Sequence, residues 1–493
     1  MTYDATTAAR GGQLPVIMPR RAPHDMNPPA MEPEPTTAGA LAPRMQQRWP
    51  RLRAEAFAIL AIGGPLIIHN LALVGMSLTD TIMSGLLGAK ILAAVAVGSN
   101  VWAPVFLFTL GVIMAQSPII AHLYGAGKNR NIGHYARQMA WLSQVLGWGG
   151  FFLLRHMAPF MRAIHIEPAI IPNATAYLDA LAWGMPGVCL YQTLRFTSEG
   201  IGRTRPMLAI ALGALALNGV LDYVLMYGKL GLPALGAAGC GYATAISEWL
   251  MFLALLIYIR RRVLYRPLEI FTRFEWPQWA PQRELLWLGV PIAIGIFMES
   301  SLFAGVGLMM GTLGTDIVAA HQVALNYASF VFMVPMSIAL AISVRVGHAL
   351  GRGDPGGARL AGVAGIGLCL CFEIVSALSM LLFPHWIVAV YTRDAAVARI
   401  AVGLLYIGAI FQLSDGLQTS AAGALRGYKD TRVPMFITII AYWLVGFPLA
   451  WLFGIPLHLG PQMIWVGFIA GLTVAAILLL HRFLRLSQRA LVL

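Results

Sequence analysis

Several carboxylates sit inside long apolar stretches of this chain, and their spacing suggests a cation site. Asp80 lies in "GMSLTDTIMSG". Asn218 and Asp222 lie in "LNGVLDYVLMYG", four residues apart and therefore on one helical face. Thr244 follows in "GCGYATAI". Two carboxylates, an amide and a hydroxyl form an oxygen donor set that suits either a proton or a small hard cation. Further along are Glu299 in "GIFMESSLF" and Asp415 in "IFQLSDGLQTS", the latter with Gln412 and Gln418 three residues to either side. A charge at mid-membrane costs about 2.5–3.5 kcal/mol on insertion scales, so acids retained there are functional by default. The bland reading of each is a satisfied interhelical hydrogen bond, and acids in both halves of the chain weaken it. Glu248 and Glu373 are also intramembrane but have no partner acid or amide nearby in sequence, so either reading stands for them.

These side chains need helices to hold them. The chain has 493 residues, 58% hydrophobic and 11% charged, where a soluble domain has about 25% charged. Mean hydropathy is +0.72. Apolar runs of spanning length fall near 55–83, 92–118, 136–158, 175–198, 207–228, 236–259, 284–310, 317–344, 360–383, 398–421, 434–455 and 461–481. That gives twelve spans, each helical because a lone strand leaves its backbone unpaired in lipid. Pro65, inside the first run, predicts a helix bend. The net charge of +13 comes from residues between the runs. Assigning loops to alternate sides puts about 25 basic residues on one face and about six on the other. By the positive-inside rule both termini are then cytoplasmic. No soluble basic domain remains to bind nucleic acid. Cys189, Cys240, Cys369 and Cys371 have neither ligand nor disulfide spacing and read as apolar filler. Residues 1–50 contain nine prolines and no apolar period, which predicts a disordered cytoplasmic tail. No apolar segment there suits a signal peptide.

The halves of the chain repeat. Pro65 pairs with Pro291, Gly85 with Gly311, Gly88 with Gly314, Gly125 with Gly351 and Gly127 with Gly353, all 226 residues apart. "EGIGRTRPM" (199–207) resembles "RGYKDTRVPM" (426–435), the offset drifting to 227 and 228. Six spans per repeat means both halves enter from the same side, as parallel repeats. The fold expected is an all-α membrane protein with two six-helix bundles around a central cleft. Its parts are an N-lobe (51–265), a cytoplasmic linker (266–283) and a C-lobe (284–493). The charge is not duplicated. Asp80 maps to Val306, and Glu299 maps to Leu73, two turns before Asp80 on the same face. The two lobes therefore have unequal roles.

The segments "TDTIMSGLLGAKILAAVAVGSNVW", "HLYGAGKN", "SEGIGRTRPM", "LNGVLDYVLMYG", "GVPIAIGIFMES", "AAHQVALN", "GHALGRGD" and "ALRGYKDTRVP" resemble the multidrug and toxic compound extrusion (MATE) family, NorM-like branch, over about residues 55–485. The resemblance implies twelve helices in two lobes and export of organic cations or drugs driven by inward H⁺ or Na⁺. It places an N-lobe cation site on Asp80, Asn218, Asp222 and Thr244, C-lobe acids on Glu299 and Asp415, and a helix-bending proline on Pro65. Many NorM-like members have Asn where this chain has Asp222, so both lobes here carry full acid sets. The tail has no counterpart in the family core.

The expected function is a secondary antiporter of the cell inner membrane. It works by alternating access and as a monomer, with H⁺ or Na⁺ as the coupling ion and no other cofactor or structural metal. A cationic drug and the driving cation would compete for the cleft acids, because neutralising a desolvated carboxylate weakens its hold on a cation. The 23 methionines and 10% aromatic residues offer an adaptable surface for varied ligands, though most of them pack or face lipid. The alternative is a flippase for a lipid-linked precursor, which needs arginines for pyrophosphate. Arg195 stands almost alone within the spans. A channel would pass substrate without an ion gradient. No HExxH, GxSxG or DxD-type site suggests an enzyme, and "GAGKN" lacks the upstream glycine and the hydroxyl of a phosphate loop.

Overall fold

The computed structural model describes residues 37–492, with side chains from Trp49 onward. The expected tail therefore lies mostly outside the described residues, and from Thr37 the chain is helical. Residues 50–493 form one compact unit built, among the described residues, around twelve helical rods with short helices such as Ala158–Ala163 and Pro384–Tyr391 between them. The first six are α1 (Thr37–Leu86), α2 (Ala89–Gly125), α3 (Asn129–Arg155), α4 (Ile171–Ala182 and Met185–Gly200), α5 (Arg205–Tyr227) and α6 (Ala237–Arg261). The second six are α7 (Trp279–Gly311), α8 (Thr315–Gly351), α9 (Pro355–Leu382), α10 (Ala395–Gly427), α11 (Arg432–Gly454) and α12 (Pro461–Val492). Ten are long and apolar enough to cross a membrane. The other two have local reasons for falling short. α3 opens on the polar run Asn129–Gln138, and α4 is interrupted at Trp183–Gly184, just before Pro186. α1 is helical on both sides of Pro65. α7 starts at Trp279, inside the stretch read as linker, so the connection between the halves is 262–278.

The repeat has a backbone cause. Gly88 and Gly314 start α2 and α8 with φ of 119° and 127°, a region closed to residues with a Cβ. Where the N-lobe has Gly202 at φ 77°, the C-lobe has Lys429 at φ 59°, a left-handed conformation that is uncommon without glycine. The halves meet along a seam with the same pseudo-twofold symmetry. α2 crosses α7 with Gly111 and Gly289 against each other's helix, and α1 crosses α8 near Gly63 and Ser337, their repeat counterparts. Removing the Cβ lets helix backbones approach closely.

Residues 262–278 are clasped onto α3. Glu275 accepts from Arg137 (2.8 Å) and lies 2.6 Å from His134 Nδ1, while Trp141 Nε1 donates to its backbone carbonyl. The Arg137 hydrogen bond, reinforced by His134, holds the Glu275 carboxyl down to about 2. A depressed carboxyl stabilises the fold above its ordinary value near 4.5, and that stability is lost as pH falls toward 2. Glu275→Gln is expected to cost roughly 1 kcal/mol at neutral pH. The gap in thermal midpoint between wild type and variant should begin to narrow near about pH 5 and close only toward about pH 2. A gap that stays constant with pH would show that this charge is not what holds the clasp.

Candidate cation and substrate cavity

Three helices of the first half converge on Asp80. α1 contributes Asp80, α5 contributes Asn218 and Asp222 one turn apart, and α6 contributes Thr244 and Ser247. The Asn218 amide donates to Asp80 Oδ1 (2.7 Å) and to Asp222 Oδ2 (2.8 Å). Thr244 donates to Asp80 Oδ2 at 3.3 Å, and Ser247 donates to Asn218 Oδ1 at 3.2 Å. Asp80 is 8% exposed and Asp222 fully buried, and Asp222 Oδ1 has no hydrogen-bond partner. Ligand atoms of Asp80, Asp222 and Cys240 lie within 4.8 Å of one another. Two carboxylates at this distance, out of water, do not both stay charged without a proton or cation between them. All four residues grouped from the sequence are therefore in contact. Cys240 and Ser247 complete the cluster and were not foreseen.

The second half builds its acid pair differently. Gln418 on α10 donates to Glu299 Oε1 on α7 (3.0 Å) and to Asp415 Oδ1 (3.1 Å). Its own carbonyl accepts from the Tyr442 hydroxyl. Tyr442 lies in a π-helical stretch of α11, Ile440–Gly446, and such widened turns recur at functional sites. Of the two acids with no assigned role, Glu373 packs against Gly416 beside Asp415. Glu248 borders the same cavity as Asp80. Each has one buried oxygen without a partner.

Both acid sets open on one central cavity of about 970 Å³, lined by residues of both halves. Asp80, Glu248, Glu299 and Asp415 supply its negative charge, and Trp102, Phe106, Phe332, Met333 and Met336 are among its apolar walls. Two arginines border it. Arg195 is neutralised within its own helix by Glu199 (2.6 Å) and also bonds Gln192. Arg426 reaches the Met114 sulfur at 2.9 Å.

Among the described residues, hydrogen bonds between the two sets of six helices lie at or toward the basic face. His122 on α2 bonds the Gly427 carbonyl at 2.7 Å, and His348 on α8 bonds the Gly200 carbonyl at 2.7 Å. The two histidines are 226 apart and the two glycines 227, so this is one contact made twice. Glu55–Arg345 (2.7 Å) lies on the same side, and Asn70–Ser337 (2.9 Å) lies nearer mid-depth.

The MatE family model matches residues 65–224 and 291–452, two blocks whose starts are 226 apart like the internal repeat. The chain belongs to the MatE family. Members of this multidrug and toxic compound extrusion (MATE) family are membrane transporters, not enzymes. Curated relatives include "Multidrug resistance protein PmpM" of Pseudomonas aeruginosa, 40% identical over 89% of this chain and 93% of that protein. Another is "Probable multidrug resistance protein NorM" of Xanthomonas campestris, 42% identical over 89% of this chain and 96% of its own length. Among solved structures, a MATE transporter of the MOP superfamily in an outward-facing conformation shares the fold at TM-score 0.81 and 20% identity, covering 88% of this chain and 96% of that one. The eukaryotic MATE transporter AtDTX14 superposes at TM-score 0.80 and 20% identity, covering 89% and 99%.

Proposed function

We propose that this MATE transporter is an inner-membrane multidrug antiporter, exporting amphipathic organic cations in exchange for H⁺ or Na⁺. The observation that carries this reading is the single cavity holding the acids of both halves among aromatic and methionine walls, with the lobes bonded together toward the basic face. With that face cytoplasmic, the arrangement is the outward-facing state. Drug leaves the cavity as a proton or Na⁺ takes its place on Asp80 and Asp222, or on Glu299 and Asp415. Neutralising these desolvated carboxylates removes the attraction that held the drug. A desolvated carboxylate also takes up a proton more readily than an exposed one, and the oxygen-rich N-lobe cluster suits Na⁺ as well. The flippase alternative loses support because Arg195 is already paired with Glu199, leaving Arg426 as the one other arginine on the cavity wall among the described residues.

The test is drug efflux from proteoliposomes with pH and Na⁺ gradients imposed separately. Uphill drug movement driven by one gradient and abolished by its collapse is expected. Equilibration that ignores both gradients indicates a channel and overturns the reading.

A further inference from the structure

A second concavity, of about 520 Å³, lies where α7 and α11 begin at the basic face. Arg283 and Arg432 are both exposed on its wall, and neither pairs with a carboxylate among the described residues. Glu284, next in sequence to Arg283, is already occupied by Tyr135 and Lys429. Arg432 is stacked over the Trp287 ring, and Trp279, 74% exposed, stands at the rim. The deeper wall, including Val290, Ile294 and Phe436, is apolar.

This layering follows depth in a bilayer. Tryptophans mark the interface. Two guanidinium groups within the first turn or so of their helices lie at headgroup level, and their planar forks match phosphate oxygens. The apolar continuation toward mid-membrane offers nothing to a free anion but fits an acyl chain. Basic pockets between helices on the cytoplasmic side have the chemistry to hold anionic headgroups. We propose that this groove binds an anionic phospholipid, its phosphate on Arg283 and Arg432 and one acyl chain against Val290, Ile294 and Phe436. Pro291 and Met435 line both this groove and the central cavity. A lipid held here therefore bridges α7, which carries Glu299, and α11, which carries Tyr442.

The test uses the full-length protein in detergent, titrated with phosphatidylglycerol, phosphatidylcholine or inorganic phosphate and read by native mass spectrometry and thermal shift. Wild type is expected to retain phosphatidylglycerol selectively and to melt higher with it. Arg283→Gln with Arg432→Gln should lower retention about fivefold, while Arg283→Lys with Arg432→Lys keeps most of it. Arg485→Gln with Arg489→Gln, which removes two exposed arginines of α12, should behave as wild type. Ile294→Trp fills the acyl end without touching either charge and should also lower retention, so the proposal stays testable if the glutamine pair does not fold. Unchanged retention in the glutamine pair or in Ile294→Trp overturns the proposal. So does equal loss in the α12 control, or a thermal shift with phosphate that matches the one with lipid.

Discussion

Asp80→Asn is expected to reduce gradient-driven efflux of a cationic dye such as ethidium at least tenfold, ~1.4 kcal/mol or more in coupling, while the protein stays folded in the membrane. The amide keeps the size of the carboxylate, and its oxygen can still accept from the Asn218 amide nitrogen, which also donates to Asp222. What is lost is the carboxylate through which the largely buried cluster meets the central cavity. That charge must be present for a proton, Na⁺ or drug to compete for the site. Glu299→Gln is the companion measurement. Its bond from Gln418 can be remade by the new amide oxygen, so the local packing survives there too. If the N-lobe couples, Asp80→Asn should abolish the response to the driving gradient and Glu299→Gln should mainly change drug affinity. If the C-lobe couples, the two outcomes exchange. Wild-type efflux in both variants would remove the acids from the mechanism.

How much of this could be read in the sequence follows from the range of each interaction. Ten of the twelve expected spans are long and apolar enough to cross a membrane, legible because hydrophobic run length is a local property, and α3 and α4 form helices where the other two runs fall, despite their polar or broken stretches. The repeat was legible because glycines such as Gly88 and Gly314 meet a backbone demand that no other residue fulfils cheaply. Asn218 and Asp222 could be paired with each other from helical spacing alone, and Asp80 and Thr244 joined them as the other polar groups of the first-half spans, a grouping the family resemblance also implies. Tyr442 had no such signal. In "AYWLVG" it looks like one more interfacial aromatic, and only the π-helical widening of α11 turns it toward Gln418. Glu248 and Glu373 have only hydroxyl residues near them along the chain, and their surroundings come mainly from other helices. Glu248 faces the shared cavity, and Glu373 packs against Gly416 of α10. The histidines of "HLYGAGKN" and "GHALGRGD" were hidden for the same reason, since their partners lie in the opposite lobe.

Gly125→Ala and Gly351→Ala should each prevent the lobes from closing at the basic face and abolish efflux. A Cβ on Gly125 would run into the His348 carbonyl, and one on Gly351 into the His122 carbonyl. In each case the obstruction is backbone in the opposite lobe, so no side-chain rotation relieves it. The alternative open to the protein is to separate the seam, which breaks the His122–Gly427 and His348–Gly200 bonds together. A separated seam is what the inward-facing state requires, so the variants should still insert and bind drug but be held there. Spin labels at the exposed positions 130 and 352, in a cysteine-free background, would report the separation as a shift to longer distances. The pseudo-twofold symmetry sharpens the prediction, because two sites 226 residues apart should give the same phenotype. His122→Gln, which keeps a donor for the Gly427 carbonyl, should retain much of the closed population, while His122→Ala should not. An unchanged distance distribution with normal efflux in both glycine variants would show that this contact does not gate transport.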